Sequence, residues 1–136
     1  MTTATAAQND LAVVQGGFEA FAKGDVAAFG AMFHSDATWN HRNDDRWGGV
    51  HAGRDDILAF IAESGRVTEG TLCATPEAVI ADGQGRVTVV VRMTGTRPDG
   101  RSFEDTQIMR FAVDGDYVRH ADQFVGDPSA VKAFWA

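Results

Sequence analysis

Residues 82–125 read DGQGRVTVVVRMTGTRPDGRSFEDTQIMRFAVDGDYVRHADQFV, and this stretch decides the fold. Apolar and polar residues alternate along it, the pattern of strands buried on one face. Three turn signals, Asp82-Gly83, Pro98-Asp99-Gly100 and Asp114-Gly115, cut it into pieces. Together with an alternating run that begins at Val67, they predict a meander of four strands near residues 67–81, 86–97, 101–113 and 116–125.

Upstream the period is helical. Leu11, Val14, Phe18 and Phe21 predict a first helix, with Asn9 and Asp10 as capping candidates and Gly24 at its end. Asp25 can cap a second helix carrying Val26, Phe29, Met32 and Phe33, which His34-Ser35-Asp36 breaks. Ala37 to His41 reads as a short strand with Trp39 and His41 on one face. A loop from Arg42 to Gly53 follows, holding Asn43, Asp44, Asp45, Trp47 and Gly48-Gly49, a composition common at functional sites. Asp55 and Asp56 favour the N-terminus of a third helix with Ile57, Leu58, Phe60 and Ile61, stopped by Gly65. Asp127-Pro128 opens a short C-terminal helix through Phe134 and Trp135.

These elements make an α+β domain in which three N-terminal-half helices cover one face of a long antiparallel sheet. Strands of that length must twist, so the sheet curves strongly into a cone around the helices, and the open end can hold a ligand. Residues 1–7 are expected to be a disordered tail and residues 8–136 one domain. The length of 136 residues suits one core with room for a small-molecule cavity.

Twelve Lys and Arg against 19 Asp and Glu give a net charge of -7, which disfavours nucleic acid and anionic membranes as partners. Cys73 is the only cysteine, so the chain can form no internal disulfide, and it is expected to be a small core residue. The N-terminus lacks a basic and then apolar leader, and no run approaches about 18 apolar residues, so a cytoplasmic protein is expected. The histidine and carboxylate spacings match no metal site, and no phosphate-binding glycine loop occurs, so neither metal nor cofactor is expected.

The order of elements and several local strings resemble the nuclear transport factor 2-like superfamily, in the branch of SnoaL-like polyketide cyclases and ketosteroid isomerase-related proteins. The strings are Val13-Val14-Gln15 with Phe21 and Gly24-Asp25, Met32-Phe33 with Asp36-Ala37-Thr38, and His51-Ala52-Gly53-Arg54-Asp55. Pro98-Asp99-Gly100-Arg101 and Asp114-Gly115 leading to Val118-Arg119-His120-Ala121-Asp122 complete them, and the resemblance runs from Leu11 to Trp135. It implies a homodimer and a conical apolar pocket. In SnoaL-like cyclases an aspartate late in the last strand is the acid/base, and Asp122 takes that position, with Ala121 where tryptophan is usual. His41 lines up with the proton-transferring aspartate of ketosteroid isomerase. That enzyme's tyrosine and second aspartate fall on Gly17 and Met109, so steroid isomerisation is not expected. The Arg-x-Asp pair of limonene epoxide hydrolases falls on Val90 and Arg92, so that chemistry is not expected either.

Period two puts His120 and Asp122 on the face of Val118 and Phe124, an inward face on which burial would raise the carboxyl's proton affinity. The candidate catalytic residues are therefore Asp122, His41 and His120. Trp39, Trp47, Phe18, Phe21, Arg92, Gln107 and Met109 are candidates for contact with a small hydrophobic ligand. Arg119, Gln123 and Val125 are expected on the outer, dimer-forming face. The function so implied is cofactor-independent proton transfer, of cyclase, isomerase or lyase type, on a hydrophobic cyclic carbonyl compound. The alternative is a ligand-binding or structural homodimer without turnover.

Overall fold

The computed structural model describes residues 3–136. The chain runs α1 (Thr3–Lys23), α2 (Val26–Ala31), β1 (Phe33–Arg42), β2 (Gly49–Ala52), α3 (Arg54–Val67), β3 (Cys73–Ala81), β4 (Arg86–Thr96), β5 (Ser102–Asp114), β6 (Tyr117–Phe124) and α4 (Pro128–Trp135). The strands form one strongly curved sheet in the order β2-β1-β6-β5-β4-β3. The architecture is the expected α+β one, with helices in the N-terminal half and a short helix at the end.

Several boundaries differ from the sequence reading. Helix α1 starts at Thr3, so the expected tail is already helical from there; Met1 and Thr2 lie outside the described residues. Phe33 belongs to β1, and His34-Ser35-Asp36 continues that strand instead of ending a helix. β2 occupies part of the expected loop, and α3 runs past Gly65 to Val67, which delays the next strand to Cys73. The sheet is not wholly antiparallel, because β6 returns alongside β1 in parallel.

The inward face of β4 carries Val87, Val89 and Val91, each fully buried, and each such side chain contributes about 1.5–3 kcal/mol. β5 alternates in the same phase, sending Asp105, Gln107, Met109 and Phe111 inward. Helix α1 packs on β3 and β4, α3 on β1 and β2, and α4 on β5, which closes the cone around its core. Asp127 caps α4 by accepting a hydrogen bond from the Ala130 N–H, with Pro128 in the first turn, as its sequence indicated. Cys73 is exposed on β3 and does not join the core, because β3 is an edge strand.

On β6 the alternation changes phase. Val113 of β5 pairs with Val118, yet Ala112 pairs with His120, so Arg119 is an extra residue: a bulge. Val118 is buried inward, but beyond the bulge Ala121 and Gln123 face in, while His120, Asp122 and Phe124 face out. The expected outer placement of Gln123 and inner placement of Asp122 are both reversed by this one inserted residue.

Candidate functional site

The cavity inside the cone has about 670 Å³ of empty space, open solvent at its mouth included. Its wall is mostly aromatic and aliphatic, with Phe18, Phe21, Trp39, Trp47, Phe60 and Met109 among the lining residues. Phe60 of α3 is the hub: the rings of Trp39, His41 and Trp47 lie 6.2, 6.1 and 5.6 Å from it, and His51 stacks on it at 4.2 Å. His51 is half buried there and reaches the Trp47 carbonyl oxygen at 2.8 Å.

Three polar side chains of the wall, His41, Gln123 and Gln107, belong to one hydrogen-bonded chain. His41, 3% exposed, sits between two partners. Its Nε2 is 2.8 Å from Asp45 Oδ2, and its Nδ1 is 3.0 Å from Gln123 Oε1. Trp39 Nε1 donates to the same Gln123 oxygen at 3.0 Å, Gln123 Nε2 donates to Gln107 Oε1 at 2.7 Å, and Gln107 Nε2 donates to Asp105 at 3.0 Å. An indole N–H can only donate, so Gln123 presents its oxygen, and His41 donates from Nδ1. With a carboxylate at the other nitrogen, the ring donates on both sides.

Asp45 comes from the turn between β1 and β2, and its side chain is fully buried. Burial pushes its carboxyl up, but hydrogen bonds from His41 and Asn43, the His41 charge and the Trp47 backbone N–H together hold it below the usual value. The turn depends on Gly48, where a Cβ would collide with the Asn43 carbonyl oxygen. Asp45 thus fixes two wall residues, orienting His41 through Oδ2 and seating the Trp47 backbone through Oδ1 at 2.8 Å.

The sequence candidates divide between two places. His41, Trp39, Trp47, Phe18, Phe21, Gln107 and Met109 all line the cavity. Asp122, His120 and Arg92 do not. Asp122 lies on the outer face, paired with Arg42 at 2.8 Å, with His120 at 3.0 Å and with Arg110 at 3.6 Å, while His120 Nδ1 meets Thr38 Oγ1 at 2.6 Å. Burial pushes the Asp122 carboxyl up, but the Arg42 hydrogen bond and the His120 charge outweigh it, so it is held low where the apolar-wall reading expected it high. Arg92 is exposed and pairs with Glu104 at 3.3 Å.

Asp45 and Gln123 were missed as site residues. Asp45 had a signal, four residues after His41 in a polar loop; Gln123 had none, since its facing depends on the bulge. Among the described residues no three or more His, Cys, Asp or Glu side chains are arranged to hold a metal ion, and no helix is long and apolar enough to cross a membrane.

Residues 14–120 match the SnoaL-like domain family. The chain belongs to that family. An uncharacterised protein of Mycobacterium tuberculosis H37Rv, Rv0034, is 29% identical over 127 residues, covering 93% of this chain and 96% of its own. Among solved structures, Bal32a from a soil-derived mobile gene cassette superposes with a TM-score of 0.92 at 27% identity, covering 96% of this chain and 99% of its own. TerC, co-crystallised with polyporic acid, superposes with a TM-score of 0.81 at 19% identity, covering 93% and 97%. Further neighbours are described as NTF2-like or as having a ketosteroid isomerase-like fold. This SnoaL-like chain shares their fold over nearly its whole length; its chemistry must be argued from its own cavity.

Proposed function

We propose that this SnoaL-like protein binds a small, largely apolar cyclic carbonyl compound in the cavity and relocates a proton on it, without a cofactor, through His41. The observation that carries this reading is that His41 is the one titratable side chain among the described residues lining the cavity. It is also backed by a buried carboxylate, which steadies the ring and the charge it carries.

The aromatic wall favours a flat ring, at about 25 cal/mol per Å² of apolar surface removed from water. The substrate carbonyl oxygen takes the place of Gln123 Oε1 as acceptor for His41 Nδ1. Gln123 and Gln107 each keep a second amide N–H, and these add stabilisation as charge develops on that oxygen. His41 gives its proton to the oxygen, and the neutral imidazole then takes one from the adjacent carbon, leaving an enol. Where a neighbouring double bond conjugates with the enol, the imidazolium returns its proton to the far carbon, and the imidazole so freed takes the hydroxyl proton back, which gives the isomerised ketone and restores His41. Water exclusion by the aromatic wall protects the enol.

Ligand uptake is tested by tryptophan fluorescence against a panel of cyclic ketones and aromatic polyketide fragments. Saturable quenching that Trp39→Phe diminishes supports the reading. Absence of binding at submillimolar concentration overturns it, and binding with no proton exchange leaves a ligand-binding protein of the same fold. The same reading assigns a homodimer, as the resemblance implies, to the outer sheet face; what supports it is Ile108, 43% exposed and in register with Phe124 and Val90.

A further inference from the structure

We propose that Asp105, which is not part of the cavity wall, is a positioning residue for His41 and sets which of its ring nitrogens donate. Its catalytic consequence rests on the reading of His41 as proton carrier; the structural effect does not.

Asp105 is buried on β5 and accepts the backbone N–H groups of Gly126 and Asp127, each at 2.9 Å, just before α4. Those two bonds anchor the carboxylate. Gly126 is needed for the approach, since a Cβ there would collide with the Thr106 carbonyl oxygen and lie 2.9 Å from Asp105 Oδ1. A carboxylate has no hydrogen to give, so the Gln107 atom facing it must be nitrogen. Gln107 therefore turns its oxygen to Gln123, whose nitrogen donates to it, and Gln123 is left with its oxygen towards His41 Nδ1. Orientation passes from Asp105 to His41 through two amides.

The same orientation is demanded from the other end by Trp39 Nε1, which can only donate to Gln123. A glutamine amide held by one neighbour alone can turn over, exchanging its N and O. Held at both ends, the chain has one arrangement. The groups facing His41 are Asp45 from the β1–β2 turn, Gln123 from β6 and the Phe60 ring from α3, so Asp105 is the one further carboxylate joined to it by this chain.

The Asp127 N–H falls on Asp105 Oδ1 and the Gly126 N–H on Oδ2, which Gln107 shares, so Asp105→Leu is the change that removes every acceptor at this end of the chain. Both glutamines are then free to reverse, and Gln123 can offer a nitrogen to His41 Nδ1, opposed only by Trp39. Adding Trp39→Phe removes that opposition. The measurement is the ring 15N resonances of His41 in ligand-free protein at neutral pH. Wild type and Trp39→Phe should show a protonated Nδ1; the double variant Asp105→Leu with Trp39→Phe should split or lose the Nδ1–H signal. As a check against loss of the anchor itself, Gln107→Leu with Trp39→Phe leaves Asp105 bonded and cuts the chain, and should split or remove the Nδ1–H signal. An Nδ1 resonance unchanged across these variants would overturn the proposal. Because no ligand is present, the result is independent of whether any ketone binds.

Discussion

Asp122 and Gln123 are consecutive on β6 and serve opposite sides of the sheet. Gln123 is bonded to Trp39, His41 and Gln107 in the cavity wall, whereas Asp122 is held by Arg42 and His120 on the outside. One inserted residue, Arg119, decides which of the two lines the cavity. The proposed acid/base role is given to His41, and not to Asp122, because of that placement.

The Asp45–His41 pair makes stability depend on pH. The folded-state value of Asp45 lies below its ordinary 3.8, so its contribution is complete above that value and is lost as pH falls through the lowered one. Asp45→Asn, which leaves a poorer acceptor for His41, should cost about 1.5–3 kcal/mol at neutral pH. Denaturant unfolding should show this gap closing below pH 3.8. An equal gap at neutral and strongly acid pH would show that the carboxylate's charge is not what the network uses.

Much of this site was legible before the fold was known. Trp39 and His41 on one strand face came from local alternation and Trp47 from the composition of the following loop, and the cavity contains them together with the candidates Gln107 and Met109. Local alternation fails where an extra residue enters a strand, because every later side chain changes sides. That is why Asp122 was expected inside and Gln123 outside. The parallel pairing of β1 with β6 was also hidden, since it joins segments some eighty residues apart and is set by closure of the cone. Arg92 was expected in the cavity although its strand face is that of Val90 and Thr94, opposite the buried Val89 and Val91.

Gly48→Ala should destabilise the protein by about 1–3 kcal/mol, as overpacking against backbone does. The added Cβ meets the Asn43 carbonyl oxygen and displaces the turn that carries Asp45 and Trp47. Gly16→Ala in α1, with no heavy atom within 4 Å, should instead stabilise by about 0.5–1 kcal/mol. Thermal melts compare the two, and matching shifts would contradict the role given to the turn.

Homodimer formation through the outer sheet face predicts that Ile108→Glu shifts the protein to monomer while leaving cavity binding unchanged, because Ile108 is exposed and outside the wall. Sedimentation velocity at micromolar concentration reads the outcome. A wild-type monomer there, or a dimer unaffected by the charge, would rule this face out.

The most direct measurement is deuterium uptake by a bound cyclic ketone in D2O, followed by NMR at the carbon beside the carbonyl, with wild type, His41→Gln and Asp122→Asn compared at equal ligand occupancy. His41 lines the cavity and Asp122 stands outside it, so wild type and Asp122→Asn should exchange at similar rates while His41→Gln loses the exchange by a factor of about 10²–10⁴. Exchange that survives in His41→Gln and disappears in Asp122→Asn would contradict the assignment of the proton-carrying role to His41.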